Sequence, residues 1–309
     1  MIFCKNCSKT HASLLDCTLP HVERVREADR CVHVVYTALI GAYDDFEAFS
    51  RAHEPYRQPG VCYVAIMDAI RSNRTDYWKK IVRQKWDVSN ARSAHLLKPL
   101  ALFLFPLANW IIYLDAKTTL TAPPVVWMRE ASGGEAGLVV LRHPHRPIEY
   151  AADGLAREIV QERRWVARRR RANWKHDVLD IDRLAQRYCA LGPLCQIGDV
   201  IESSLMAWNS YYRPSAPMRL LACAWFREVL EASQREQLSF PFVVSALGAR
   251  EHVRYLPSKM YRRSWGWLQH LDCTASGVCK TEPAHAGTSS SLRAPLKKTT
   301  AAETPSAAK

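Results

Sequence analysis

Five apolar or aromatic residues in a row, Trp110 to Leu114, are followed at once by an acid, Asp115. An uncharged run of this kind is typical of a central strand that is covered on both faces. Open α/β sheets bind ligands where their strands end, so the pattern places Asp115 at the edge where a site would form. Taken alone, an acid after a strand is also explained as a structural or helix-capping residue.

Further strands and helices are predicted on both sides of this run. Residues 32–38 are β-branched and aromatic and break at Gly41, residues 61–67 follow the turn Pro59-Gly60, and residues 137–141 are again apolar. Residues 78–86 alternate apolar and charged side chains, which indicates a partly exposed third strand. Helices are predicted over 93–105, with a start or kink at Pro99, and over 182–190 and 218–231.

The chain is long enough to bury a full core, with 309 residues of which 48% are apolar. We expect one catalytic domain over residues 31–272, an irregular lead-in with cysteines over 1–30 and a disordered tail over 273–309. The sequence contains no recognisable signal peptide or membrane span, so the chain as given is expected to be soluble.

The formal net charge of +13 indicates an anionic partner: nucleic acid, an anionic polysaccharide, a membrane surface or a nucleotide diphosphate. Residues 151–175 contain eight Arg or Lys against three acids, within a helix predicted over 148–174. A run of charge on a helix is usually a solvated face, and the rival interpretation is a nuclear signal or a nucleic-acid patch.

Ten cysteines are many for a cytosolic protein, and four of them, Cys4, Cys7, Cys17 and Cys31, fall in the first tenth of the chain. Cys4 and Cys7 could begin a zinc site, but the later spacings match no ordinary zinc finger. Disulfides formed in a secretory lumen are favoured over zinc, and free thiols are the remaining alternative.

Five segments of the chain, 34–45, 95–106, 113–117, 142–146 and 235–240, occur in the order found in one known family. Together they resemble the glycosyltransferase-like domain of the plant turgor-defect and seed-mucilage proteins. The resemblance covers roughly residues 32–245 and is specific as a set. Gln186, Tyr188 and Gly192 fit the family's pattern, whereas Glu236 stands where the family has Asp.

This resemblance implies an α/β fold: a nucleotide-sugar-transferase-like (GT-A-type) mixed sheet flanked by helices in a single domain. It implies transfer of a sugar from a nucleotide-sugar donor to a carbohydrate acceptor, a cell-wall polymer or glycan, with no nucleic-acid partner. It also implies a place in the Golgi or secretory lumen, for which an N-terminal anchor would be missing from this sequence.

The candidate site residues come from the same segments and from the predicted strand ends. Asp115 is the central catalytic candidate, and Glu236 and then Glu149 are the candidates for the base that takes the acceptor proton. Lys98 precedes the strand that carries Asp115 and is either a phosphate contact or a solvated lysine. The predicted substrate-binding residues are Thr37, Tyr43, Asp44, Lys98, Lys117, Arg142, His143, Arg146, Arg235 and Gln237.

Two ways of neutralising the leaving diphosphate are open. Asp115, followed by Ala116 and Lys117, has the place of the first acid in an Asp-x-Asp metal clamp, but a protonated lysine cannot be the second ligand. Asp115 could still hold Mn²⁺ or Mg²⁺ with another acid or water, which analogy of fold favours. Alternatively, Lys117 and the cluster Arg142 to Arg146 bind the diphosphate directly as cations.

Two other functions compete with sugar transfer. Part of the family has a ceramide-hydrolysing label, and His143, His145 and nearby acids could activate water with a metal. The arginines between 163 and 171 could instead make the chain a basic nucleic-acid-binding module.

Overall fold

The computed structural model describes residues 17–19, 22–41, 46–70, 77–85, 89–116, 118–120, 122–125, 128, 136–142, 159, 174–189, 200–210, 216–232, 235–257, 265–267, 271–273 and 279–281. The predicted basic helix over 148–174 lies outside these ranges except for Ile159 and Trp174, as do Cys4 and Cys7 and nearly all of the predicted tail. The domain boundaries at 30/31 and 272/273 therefore stay predictions.

Strands and helices are interspersed along the described chain. The strands are β1 (His33–Leu39), β2 (Val61–Met67), β3 (Trp78–Val82), β4 (Trp110–Leu114), β5 (Thr118–Leu120), β6 (Leu138–Arg142), β7 (Ile201–Asn209), β8 (Val253–Leu256), β9 (Trp265–Trp267), β10 (Leu271–Cys273) and β11 (Cys279–Thr281). The helices are α1 (Phe46–His53), α2 (Asn90–Leu96), α3 (Ala101–Leu104), α4 (Trp174–Cys189), α5 (Ala216–Glu231) and α6 (Glu236–Ala246).

Seven of these strands form one mixed sheet in the order β3-β2-β1-β4-β7-β6-β8. Strand β7 runs antiparallel to both of its neighbours, β4 and β6, while the remaining pairs are parallel. Six carboxyl ends therefore meet at one edge of the sheet, together with the amino end of β7. The predicted α/β class with a mixed sheet flanked by helices is confirmed.

The central strand β4 is buried on both faces because apolar layers cover both sides of the sheet. Ile111 and Tyr113 belong to one core, which includes side chains of α5 and α6, and Ile112 and Leu114 belong to a second core with Phe49 of α1. The alternation of β4 side chains between the two cores follows from the period of two along a strand.

Most strand predictions are confirmed to within a few residues, and the differences have local causes. The predicted third strand ends at Val82, and the helix predicted over 93–105 is two helices separated by a turn over 97–100 that contains Pro99. Helix α4 starts at Trp174, before the predicted start at 182, and its Asp180 carboxylate pairs with Arg92 of α2 at 2.6 Å.

The segment that precedes β1 is tied to the domain by two disulfides. Cys17 pairs with Cys223 of α5, and Cys31 pairs with Cys62 of β2. Val25 between them donates its backbone N–H to the Leu104 carbonyl at 2.8 Å. The preference for disulfides over zinc is thus confirmed for Cys17 and Cys31.

In the described part of the chain, no helix has both the length and the apolar character needed to cross a membrane.

Candidate active site

Asp115 lies where β4 ends, at the edge predicted from the sequence. Its backbone N–H donates to the Ser204 carbonyl of β7 at 2.8 Å, and its own carbonyl accepts from the Thr118 N–H at 2.8 Å. These two bonds fix the backbone on both sides of the residue, while the side chain keeps 18% of its surface exposed. Asp115 is therefore a rigidly placed carboxylate that solvent or a ligand can reach.

Lys98 approaches Asp115 from the turn between α2 and α3. Its ammonium lies 3.3 Å from Asp115 Oδ1 and 2.7 Å from Glu236 Oε1, and it donates to Ser203 Oγ at 3.1 Å. The side chain is only 1% exposed. Burial alone would lower the pKa of Lys98, but Asp115 and Glu236 outweigh it and raise this pKa above its ordinary value. The lysine is a charged, buried cross-link between two carboxylates.

Glu236, the first residue of α6, is the second carboxylate of the cluster. Its Oε1 accepts from Lys98 and from the Ser203 hydroxyl, and its Oε2 lies 2.9 Å from His95 Nδ1. Burial raises the pKa of Glu236, but the charges and hydrogen bonds of His95 and Lys98 prevail and hold it well below its usual range. Glu236 is thus an ionised acid with little tendency to take up a proton.

Tyr113 of β4 also contacts Asp115. Its hydroxyl donates to Asp115 Oδ1 at 2.7 Å. Burial first, and then the charge of Asp115, raise the pKa of Tyr113 far above its ordinary value, so the phenol keeps its proton and acts as a donor. Oδ1 of Asp115 therefore faces two donors, the Tyr113 phenol and the Lys98 ammonium.

A second tyrosine, Tyr36, contacts the turn that carries Lys98. The hydroxyl of Tyr36 in β1 lies 3.0 Å from the Leu97 carbonyl and 3.2 Å from the Lys98 carbonyl. Its ring packs edge-on against Tyr113 at 5.2 Å between centroids. The turn that delivers Lys98 is consequently anchored to the two strands that carry the site.

The structure brings together three of the predicted site residues, Asp115, Lys98 and Glu236. Lys98 is not the solvated lysine that the sequence left open, because it is buried, and a phosphate contact would require its three acceptors to be displaced. Glu236 is placed to fix Lys98, and its low pKa speaks against the predicted role as the acceptor base.

The other described candidates lie in the strands and helices around this cluster. Thr37 is fully buried in β1, and its hydroxyl has no hydrogen-bond partner among the described residues. Arg142 ends β6 at the same sheet edge, two strands from β4, with its guanidinium 5.9 Å from the Tyr255 ring centroid. Arg235 immediately precedes α6, and Gln237 is half-buried in its first turn.

The remaining candidates, Tyr43, Asp44, Lys117, His143, Arg146 and Glu149, lie outside the described residues. Sequence analysis in turn assigned no role to His95, Tyr113 or Ser203, which the structure places in the cluster. A signal for Ser203 does exist in the sequence: Glu202, Ser203 and Ser204 are a polar run inside an otherwise apolar strand. His95 and Tyr113 are the first residues of two segments that carry the family resemblance, 95–106 and 113–117.

A cavity of about 350 Å³ opens beside the carboxyl ends of β1 and β3. Next to it, Asp68 at the end of β2 accepts from the Gly41 N–H at 3.2 Å and pairs with Lys85 at 3.3 Å. Arg83 reaches back to Glu23 of the N-terminal segment at 2.5 Å. The cavity combines apolar and polar walls; its lining is Glu23, Ile40, Val82, Arg83, Gln84, Lys85, Ser93, Leu97 and Leu104.

The described residues do not complete a site for a divalent metal. No group of three or more His, Cys, Asp or Glu side chains converges among them in a way that could hold an ion. Asp115 has the ammonium of Lys98 at 3.3 Å, and both oxygens of Glu236 are in contact with protein groups. Hard cations require several oxygen ligands, so a metal on Asp115 would depend on side chains beyond this cluster.

Three solved glycosyltransferase structures share a distant likeness with the chain. The apo structure of the bifunctional glycosyltransferase WbbM has 11% identity and a TM-score of 0.41, covering 78% of this chain and 40% of its own. The galactosyltransferase LgtC, in complex with donor and acceptor sugar analogues, has 10% identity and a TM-score of 0.40. The match covers 73% of this chain and 74% of the LgtC chain. Apo mouse xyloside xylosyltransferase 1 has 11% identity and a TM-score of 0.41. The match covers 73% of this chain and 85% of the xylosyltransferase chain. At these scores the likenesses carry no argument about the site.

A helix-flanked mixed sheet with an acid at the end of its central strand agrees with the architecture expected of a glycosyltransferase-like domain. A family profile of that description, the TOD1/MUCI70 glycosyltransferase-like domain, matches residues 18–264. The chain belongs to this family, and the resemblance stated from the sequence segments is confirmed. A search of curated proteins finds no match.

Proposed function

We propose that the protein transfers a sugar from a nucleotide-sugar donor to a carbohydrate acceptor at the edge where β4 ends. The observation that carries the proposal is Asp115: an accessible carboxylate whose orientation is fixed by Tyr113 and Lys98. Family membership supports the reaction class. Such transfer breaks the bond between the donor sugar and its diphosphate and forms a new bond to an acceptor hydroxyl, whose proton passes to a base.

In this proposal the two ends of the donor lie on different parts of the sheet edge. The nucleoside end occupies the cavity beside β1 and β3, whose volume of about 350 Å³ falls in the range of small-molecule sites and whose walls are partly apolar. The sugar and diphosphate lie near Asp115. Arg142 at the end of β6, with Lys117, His143 and Arg146, supplies positive charge for the leaving diphosphate.

Asp115 then orients the donor sugar or takes the acceptor proton, because it is the accessible carboxylate of the cluster and Glu236 is buried. Glu149 remains a candidate base. The predicted Mn²⁺ or Mg²⁺ would supply a Lewis acid for the diphosphate if ligands outside the described cluster bind it. No described residue favours ceramide hydrolysis or nucleic-acid binding, which rested on side chains outside the described ranges.

A secretory compartment such as the Golgi lumen is part of the proposal, since structural disulfides persist in oxidising compartments. The pairs Cys17–Cys223 and Cys31–Cys62 support this placement. Thiol labelling of the protein isolated from its natural source checks it: we expect these four cysteines to resist alkylation until a reductant is added.

A thermal-shift panel of nucleotide sugars, with and without Mn²⁺, tests the function. We expect a uridine or guanosine diphosphate sugar to stabilise the native chain and Asp115→Asn to abolish that shift, because only the charge of the carboxylate is removed. Asp180→Asn is a matched control: Asp180 is also paired with a cation and is 19% exposed against 18% for Asp115. No shift with any donor, or equal shifts in both variants, would contradict the proposal.

A further inference from the structure

The carboxylate at the centre of the site already has a permanent positive partner. Lys98 Nζ lies 3.3 Å from Asp115 Oδ1, the same oxygen that accepts from the Tyr113 hydroxyl. We propose that Lys98 is the resident counter-cation of Asp115, and that in the native chain Asp115 is not a ligand of a divalent metal. The inference deepens the proposed function and rests on it for its meaning in the reaction, although binding of a metal can be measured without any sugar donor.

The ammonium is held so that it cannot leave the carboxylate at low cost. Its three N–H groups meet three acceptors, on Asp115, Glu236 and Ser203. The side chain is 1% exposed, and the ammonium also lies 5.2 Å from the centroid of the Tyr113 ring. Withdrawing it would leave two carboxylates, one of them almost fully buried, without their shared cation.

A divalent cation on Asp115 would therefore have to compete with a fixed positive charge. Coordination by Oδ1 would require the Tyr113 and Lys98 contacts to break, and any position on the carboxylate lies close to the ammonium. Glu236 cannot serve as a second ligand without losing Lys98 and Ser203 on one oxygen and His95 on the other. The geometry therefore fits a site in which the Lys98 ammonium, and not a metal ion, neutralises Asp115 and Glu236.

The same geometry predicts that removing the lysine creates a metal site. Asp115 and Glu236 both contact one nitrogen atom, so in Lys98→Gln the two carboxylate oxygens that held the ammonium face a shared space that the lysine cation no longer fills. Paired carboxylate oxygens are the ligands that Mn²⁺ and Mg²⁺ prefer. Lys98 would thus decide whether the Asp115 and Glu236 carboxylates pair with an ammonium group of the protein or bind a metal ion.

Titration with Mn²⁺ alone, followed by the electron-paramagnetic-resonance signal of free Mn²⁺, tests the inference. We expect any binding by the native chain to be unchanged in Asp115→Asn, and Lys98→Gln to bind at least about tenfold more tightly than the native chain. The gain should vanish in the double variant Lys98→Gln/Asp115→Asn and persist in Lys98→Gln/Asp180→Asn.

Two results would overturn the inference: native binding that Asp115→Asn removes, or a folded Lys98→Gln without gain. If Lys98→Gln does not fold, the comparison of the native chain with Asp115→Asn still tests whether Asp115 is a metal ligand, since it needs no variant of Lys98. Because no donor is present, failure here leaves the transferase proposal standing, and a failed donor panel leaves this result standing.

Discussion

His53, at the last position of α1, is fully buried and has both ring nitrogens in hydrogen bonds. Nδ1 lies 2.7 Å from the Phe49 carbonyl and therefore carries the proton, whereas Nε2 accepts from the Leu120 N–H of β5 at 3.1 Å. The ring also packs against Phe49 and Trp78. A second proton would put a donor against the Leu120 N–H and a charge into an apolar core.

Burial accordingly lowers the pKa of His53 from its ordinary 6.5 to about 4, against an opposing contribution from the bond to Phe49. Above pH 6.5 the imidazole is neutral in the folded and the unfolded chain, so it contributes no pH dependence. As the pH falls from 6.5 to about 4, the unfolded chain binds a proton that the folded chain refuses. A pKa difference of about 2.5 at 1.36 kcal/mol per unit lowers the free energy of unfolding by about 3 kcal/mol over this window.

Urea unfolding with the disulfides intact, at a series of pH values from 8 down to about 4, measures this loss. The comparison is with His53→Gln, whose side-chain oxygen can still accept from Leu120 but does not titrate. We expect the difference in unfolding free energy between native and variant to be constant above pH 7 and to shrink by about 3 kcal/mol toward pH 4. A difference that stays flat over the whole range would refute the neutral, buried imidazole.

Three further changes test the packing of the site and the N-terminal segment. Lys98→Met should lower the free energy of unfolding in urea by about 3–5 kcal/mol, because two carboxylates lose their cation, and adding Glu236→Leu should recover part of it; no recovery would contradict the pairing. Tyr113→Phe should cost about 1.5–3 kcal/mol in the same assay, the contribution of a hydrogen bond to a charged group, and a neutral effect would deny that bond. Replacing Cys31 and Cys62 by serine should cost about 3–4 kcal/mol in thermal unfolding, as expected for a cross-link between residues 31 apart in sequence, and an unchanged melting temperature would speak against the disulfide.

The frame of the fold could be predicted from local patterns, and the pairing inside the site could not. Five consecutive apolar residues, Trp110 to Leu114, favour a strand covered on both faces, and this prediction also placed Asp115 at the sheet edge. The contact between Lys98 and Glu236 joins residues 138 positions apart. No local rule encodes it, so the lysine was expected in solvent or on a phosphate and the glutamate was expected to be a base.

The polar residues of the buried strand β7 show the same limit of prediction from sequence. Ser203 was visible in the sequence as part of a polar interruption in an apolar run, but its partners on α6 and in the α2–α3 turn depend on which helices cover that face. The sequence likewise did not show that Asp180 of α4 pairs with Arg92 of α2. In each case tertiary contact, not propensity, decided the outcome.

The cross-link between Cys17 and Cys223 imposes an order on biosynthesis. The amino end of the chain is synthesised first, so Cys17 cannot form its disulfide until about 200 further residues have been made. Cys62 follows Cys31 by 31 residues, so that pair can form much earlier. During that interval the thiolate of Cys17 is exposed to wrong partners among the other cysteines. Efficient production of the protein should therefore respond to added disulfide isomerase more than to added oxidant.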